Sequence, residues 1–96
     1  MKRFWVYLLA SKPNGVIYTG MTSDLAQRIH QHKTGEIAGF TARYNVKNLV
    51  YAEEHATAEA AITREKQVKA WKRDWKIQLI ETDNPEWRDL YETYFS

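Results

Sequence analysis

The sequence predicts an α+β domain: a small three-stranded antiparallel sheet with helices packed around it. Three observations carry that reading. Two short runs rich in aromatic and branched residues, 4–10 and 16–19, are separated by strong turn chemistry. A third such run surrounds Leu49-Val50-Tyr51, and the remaining segments carry helix caps and helical spacing. No linker, repeat or low-complexity stretch interrupts the 96 residues, so residues 1–96 are read as a single domain.

Between the first two strands stands Lys12-Pro13-Asn14-Gly15. A two-residue Asn-Gly turn would put Pro13 where a ladder N–H is needed, so a four-residue loop is favoured. Pairing Ser11 with Val16 then places Tyr7 and Tyr18 on one face of the hairpin, whereas a three- or five-residue loop would separate them. Residues 20–23 are read as leaving the second strand. Asp24 caps a helix, with Gln27 completing a capping-box-like pair, and Gly35 stops that helix after Lys33. Leu25 and Ile29 supply its buried side, while Arg28 and His32, four apart, share another face.

Residues 36–46 have no clean period and read as an irregular basic-aromatic connection containing Phe40, Arg43 and Tyr44. Residues 48–54 form the third strand. Thr57 caps the longest helix, expected over 58–73, and a shorter one follows over 75–81. Asn84-Pro85 is read as opening a last helical turn, with Asn as cap and Pro at the first position.

Composition bounds the function. With 44% hydrophobic and 14% aromatic residues the chain is built to fold. It has no cysteine, which removes disulfides and thiolate metal sites and fits a cytoplasmic location. The basic start and apolar residues 4–10 imitate a secretory signal, but the apolar stretch is short and runs into Ser11-Lys12-Pro13 without a small-residue cleavage site. No apolar stretch reaches the length of about 18 residues that a membrane span needs. The net charge of +2 announces no partner by itself. Between Arg64 and Lys76, however, six of thirteen residues are basic and two acidic, either a solvated helix face or a surface for polyanions.

Glu65 is the most informative residue. Ala58, Ala61, Ile62 and Val68 spread around one side of their helix, and Glu65 falls near the middle of that arc. A carboxylate there needs an ion-pair partner or a bound cation, and the sequence leaves both open. Tyr7 with Tyr18, or Arg28 with His32, would each pass alone for ordinary packing or an ordinary surface pair. A zinc site is disfavoured, because His30 and His32 point to different sides of their helix and no cysteine assists.

Taken together, these residues resemble the GIY-YIG endonucleases. Trp5-Val6-Tyr7 stands where that family has its first triplet, and Tyr18-Thr19-Gly20 where it has the second. Arg28, His32, Glu65 and Asn84 follow in the family's order. The stretch from Arg64 to Trp71, with Asn84-Pro85-Glu86-Trp87, is similar to compact stand-alone bacterial members and to the N-terminal nuclease domain of the excision-repair nuclease. Trp5 replaces the usual Gly, and Val6 and Thr19 replace Ile, but none of these changes removes a group that does chemistry.

The resemblance implies a magnesium-dependent (or manganese-dependent) endonuclease that hydrolyses phosphodiesters by a one-metal mechanism, with a place in DNA repair. Tyr7 would be the general base, Tyr18 a supporting hydroxyl, and Arg28 the cation on the phosphate. His32 would orient Tyr7 or the phosphate, and Glu65 would ligate the metal. Arg43, Lys69, Lys72, Arg73 and Lys76 are the expected nucleic-acid contacts. Asn84 has two readings, a supporting site residue or a helix cap. DNA is favoured over RNA by the resemblance alone, no membrane partner is expected, and the oligomeric state stays open. The alternatives are a catalytically silent nucleic-acid-binding module with the same fold, or an interaction protein using Trp71, Trp75 and Trp87, which could equally be core.

Overall fold

Strand β1 (Phe4–Ala10) is apolar at nearly every position because it is covered on both faces: Val6 through Ala10 are essentially inaccessible in the computed structural model, which describes residues 2–37 and 39–95. It lies between β2 (Ile17–Thr22) and β3 (Asn48–His55), antiparallel to both, in the order β2-β1-β3. The four-residue loop forms as expected. Ser11 and Val16 face each other, with the Ser11 N–H donating to the Val16 carbonyl at 3.1 Å, and Asn14 takes the left-handed conformation that the tight loop demands (φ 58°). Leu9 therefore pairs with Tyr18 and Tyr7 with Gly20, which puts both tyrosines on one face.

Strand β2 outruns its expected end. Gly20, Met21 and Thr22 stay in the ladder, the last opposite Trp5. Glycine reads as a breaker in a sequence, but here it continues a strand because Tyr7 needs the space opposite it. In β3, Leu8 pairs with Tyr51 and Leu9 with Leu49, leaving Val50 as a bulge residue. The extra residue leaves Val50 and Tyr51 on the same side of the sheet, with Leu49 on the other.

Each face then has its own core. On one, α1 (Leu25–Thr34) packs Leu25 and Ile29 against Tyr7, Leu9, Val46 and Leu49. Its caps are those expected: the Asp24 carboxylate accepts from the Gln27 N–H at 3.1 Å, and Gly35 ends the helix at φ 77°. On the other face, α3 (Ala58–Ala70) and α4 (Arg73–Asp83) bring Val68 and Ile80 against Leu8, Ala10, Val50 and Trp87. The basic-aromatic connection contains one helical turn, α2 (Phe40–Arg43), and α5 (Tyr91–Phe95) closes the described chain.

Three expectations fail here. The long helix ends at Ala70, because Trp71 and Lys72 are extended (ψ 151° for both) and α4 begins afresh at Arg73. A helix continuing from Ala58 to Ile80 would be about 35 Å long, beyond the molecule's longest extent of 33 Å. The break folds Ile77 and Ile80 back onto the core instead. Ile62 does not belong to the buried face and is 44% exposed. Asn84 opens no helix: it ends α4, and Pro85-Glu86 form a turn closed by the Trp87 N–H on the Asn84 carbonyl at 3.0 Å. The chain then runs beside β3, where the Leu90 N–H donates to the Leu49 carbonyl at 2.7 Å and the Leu49 N–H to Asp89 at 3.2 Å, occupying part of that strand's outer edge. Among the described residues no helix is long and apolar enough to cross a membrane.

Candidate active site

Tyr7 sits in the central strand with 1% of its surface exposed, and its ring lies across the neighbouring strand over Gly20. A Cβ at position 20 would come within 2.4 Å of the Tyr7 Oη and 2.5 Å of Cζ, so only glycine fits opposite this tyrosine. The hydroxyl ends 3.2 Å from Nε2 of His32, itself only 2% exposed. On the far side of the imidazole, Nδ1 lies 3.0 Å from the Thr41 Oγ1. Tyr7, His32 and Thr41 thus form a buried hydrogen-bonded chain linking β1, α1 and α2.

Burial sets the protonation of this chain. Desolvation pushes the Tyr7 phenol up to about 12; Tyr18 and the Glu65 carboxylate add to the rise, while the Arg28 guanidinium opposes it. Burial, reinforced by Arg28, brings His32 down to about 4, so its ring is neutral near pH 7. A neutral imidazole donates from one nitrogen and accepts at the other, and a threonine hydroxyl can do either. The chain is therefore satisfied in both directions, with Nε2 accepting from the phenol or its N–H donating to a phenolate.

Four of the expected site residues surround Tyr7. The ring of Tyr18 is 6.4 Å from that of Tyr7 and 5.6 Å from His32, and Arg28 and Glu65 stand close enough for their charges to act on the phenol. Glu65 projects from the buried side of α3 with 19% of its side chain exposed. Its ion-pair partner is Lys69, one turn on at 3.1 Å and 51% exposed. Among the described residues, no three His, Cys, Asp or Glu side chains cluster to form an all-protein metal cage. A single carboxylate with one exposed, displaceable partner nevertheless fits Mg²⁺, which commonly takes one or two carboxylates and fills its remaining positions with water and substrate oxygens.

The other expected residues lie outside this cluster. Asn84 is 2% exposed and its amide is spent on the backbone: Nδ2 donates to the carbonyls of Val50 (3.2 Å) and Arg88 (2.8 Å), and Oδ1 accepts from the Arg88 N–H. It pins the segment after α4 to β3. Arg73 donates to the carbonyls of Asn14 and Gly15 at 2.6 Å each, clasping the hairpin loop. Lys72 is exposed at the start of α4, Lys76 is half-buried on it, and Arg43 lies over the ring of Tyr44 at 5.6 Å. Of the three tryptophans, Trp87 is core, Trp71 is half-buried under Arg64, and Trp75 is 55% exposed. Thr41 was not among the expected residues. It lies in a segment without periodicity, and nothing in the sequence marks it as a partner of His32.

Residues 3–78 match the GIY-YIG catalytic domain family. The chain belongs to that family. It is 34% identical over 80 residues to a UPF0213 protein of Staphylococcus saprophyticus, covering 83% of this chain and 96% of that one. It is 35% identical over 77 residues to a UPF0213 protein of Haloquadratum walsbyi, covering 80% and 85%. A UPF0213 protein of Bacillus halodurans, solved in solution by NMR, superposes with a TM-score of 0.57 at 30% identity over 98% of this chain and 97% of that one. The fold is shared with the solved Bacillus halodurans protein, and the matched family is one of nucleases acting on nucleic acid.

Proposed function

We propose that this GIY-YIG protein is an active endonuclease that hydrolyses phosphodiester bonds of nucleic acid, DNA in the first instance, with Tyr7 as general base. The observation that carries the reading is the buried Tyr7–His32–Thr41 chain with Arg28 and Glu65 beside it. What supports the reading is that the phenol, not the carboxylate, stands at the centre of this cluster, with a neutral imidazole and a guanidinium beside it and Glu65 held only by an exposed lysine. In the reaction, Tyr7 as phenolate takes a proton from water, the water oxygen attacks phosphorus, the bond to the leaving oxygen breaks, and solvent water protonates that alkoxide. His32 holds the phenol oxygen and, through Thr41, can reverse its hydrogen bond when Tyr7 ionises. Arg28 stabilises the phenolate and contacts the phosphoryl oxygens, and Tyr18 orients the water.

Glu65 would hold Mg²⁺ or Mn²⁺, exchanging its contact with Lys69 for the ion. Such an ion supplies charge stabilisation at the phosphoryl and leaving oxygens. Lys72, Lys76 and Arg43 are the cations available for backbone contacts, whereas Arg73 and Lys69 already have partners within the fold. The resemblance to the excision-repair nuclease's N-terminal domain makes branched or damaged DNA the first substrates to test.

The rival reading is a binding module without turnover, in which Lys69 is the permanent partner of Glu65. A magnesium titration of cleavage over single strands, duplexes, flaps and branches, with Glu65→Gln alongside, separates the two. Metal-dependent cutting that disappears in Glu65→Gln at unchanged melting temperature supports the nuclease. The same cutting in both proteins would make Glu65 an ion-pair residue only.

A further inference from the structure

Next to the candidate site lies an aromatic surface that the proposed chemistry does not use. Phe40 and Tyr44, on and just after α2, have ring centroids 4.9 Å apart and are 48% and 47% exposed. Phe40 also stacks on Tyr18 at 6.3 Å with the planes 30° apart, and Tyr18 in turn neighbours Tyr7 and His32. A continuous row of rings therefore leads from the buried phenol to open solvent, ending with the Arg43 guanidinium over Tyr44. These side chains border a shallow open hollow with Gly35 and Gly39, both at positive φ, where no Cβ obstructs approach.

A flat ring surface, a cation at its rim and direct continuity with a phosphate-handling site match the chemistry of one occupant, an unpaired nucleobase. Base faces inside a duplex are covered by their neighbours, so exposed protein rings can stack only on a base that is single-stranded, bulged or extruded. We propose that Phe40 and Tyr44 form a stacking platform for an unpaired base flanking the cleaved phosphate, and that the substrate class is single-stranded nucleic acid or a junction with unpaired nucleotides, not perfect duplex. This rests on the nuclease reading above for the location of the phosphate; the stacking itself does not require turnover.

The test is equilibrium binding without divalent metal, using oligonucleotides of equal length that carry a fluorescent adenine analogue, single-stranded or fully paired. The parent protein is expected to alter the analogue's fluorescence in the single strand and to prefer that strand about tenfold or more, as loss of a base–aromatic stack is worth. Phe40→Leu with Tyr44→Leu should bring the preference close to unity, and Phe40→Trp with Tyr44→Trp should restore it. A parent that binds both forms equally with unchanged fluorescence overturns the proposal, as does a Leu pair that keeps the preference. Adding Mg²⁺ distinguishes the two claims. Cutting without any strand preference removes the platform and leaves the nuclease; a ring-dependent preference with no cutting of any substrate removes the nuclease and leaves the platform.

Discussion

Two clusters in this molecule are built from the same four residue types and do opposite things. Tyr7, His32, Arg28 and Glu65 form one; Tyr51, His55, Arg64 and Glu53 form the other. In the second the carboxylate is at the centre. Glu53 accepts from the Tyr51 hydroxyl at 2.6 Å, His55 at 2.6 Å and Arg64 at 3.0 Å. Burial would raise its pKa, but the hydrogen bonds from Tyr51, Arg64 and His55 outweigh that and hold the carboxyl below its usual range. Both carboxylate oxygens are engaged, and the Tyr51 phenol is pushed up by burial and by the anion it serves. In the first cluster the phenol is at the centre. Tyr7 meets a neutral imidazole and a guanidinium, both compatible with a phenolate, while Glu65 is left with one exposed lysine. The difference teaches that chemistry follows from which group occupies the middle, not from the inventory. A carboxylate ringed by donors is a clamp, whereas a phenol between a guanidinium and a neutral imidazole is the arrangement the proposed base would need.

The largest expected contrast is between the two tyrosines. Tyr7→Phe should slow single-turnover cleavage by about 10²–10⁴ with the melting temperature nearly unchanged, whereas Tyr51→Phe should leave the rate within a few-fold. The parent rate should rise about tenfold per pH unit from neutrality upward, because Tyr7 is still protonated there. Comparable losses in both variants would dissolve the distinction between the clusters.

The carboxylates should show the converse. Glu53→Gln is expected to destabilise the fold by about 2 kcal/mol, as loss of charge-assisted hydrogen bonds from a partly buried site commonly does, without removing metal-dependent cleavage. Glu65→Gln should scarcely alter stability. Chemical denaturation of the two proteins measures this directly, and an equal loss of stability would place Glu65 among the clamps.

His32 gives an acid signature. Its folded pKa of about 4 lies below the ordinary 6.5, so between those values the unfolded chain binds more protons. The contribution is fully present above pH 6.5 and is lost as pH falls towards 4, by up to about 3 kcal/mol. His32→Gln, which does not titrate, should flatten that part of the stability profile relative to the parent. Identical profiles would mean that the ring titrates alike in the folded and the unfolded chain.

The smallest effect concerns Thr19, where the family has isoleucine. Its hydroxyl is buried without a hydrogen-bond partner among the described residues. Thr19→Val should stabilise by about 1 kcal/mol, because it removes an unpaired polar atom at nearly constant volume. A lower melting temperature would show that the hydroxyl has a partner.

How much of this was legible beforehand follows the range of the interactions. The hairpin register could be read because Pro13 and Asn14-Gly15 act within the loop, and α1 because Asp24, Gln27 and Gly35 act within a few residues of its ends. Tyr7, Tyr18, Arg28 and Glu65 came together as expected, carried by those local rules and by the family resemblance. A break between two helices was expected, but three residues late; its place at Trp71-Lys72 was not legible, since both residues tolerate helix and the need to return Ile80 to the core decides where it falls. Thr41 was missed for a similar reason: its role depends on an imidazole nine residues earlier, across an irregular connection. Asn84 shows the remaining ambiguity. Asn before Pro is good capping chemistry, yet its amide is claimed by Val50, 34 residues away in sequence.

Gly20 carries a consequence for inheritance. The ring of Tyr7 occupies volume that any other residue on β2 would fill, so adding a single methyl group at position 20 must push the phenol off its imidazole. Trimming the phenol oxygen would not make room, since the ring carbon behind it is just as close. Mutational drift at this position therefore has no gentle first step. As long as the Tyr7 ring stays seated against His32 a glycine must stand opposite it, and a larger residue at position 20 marks a ring that has moved.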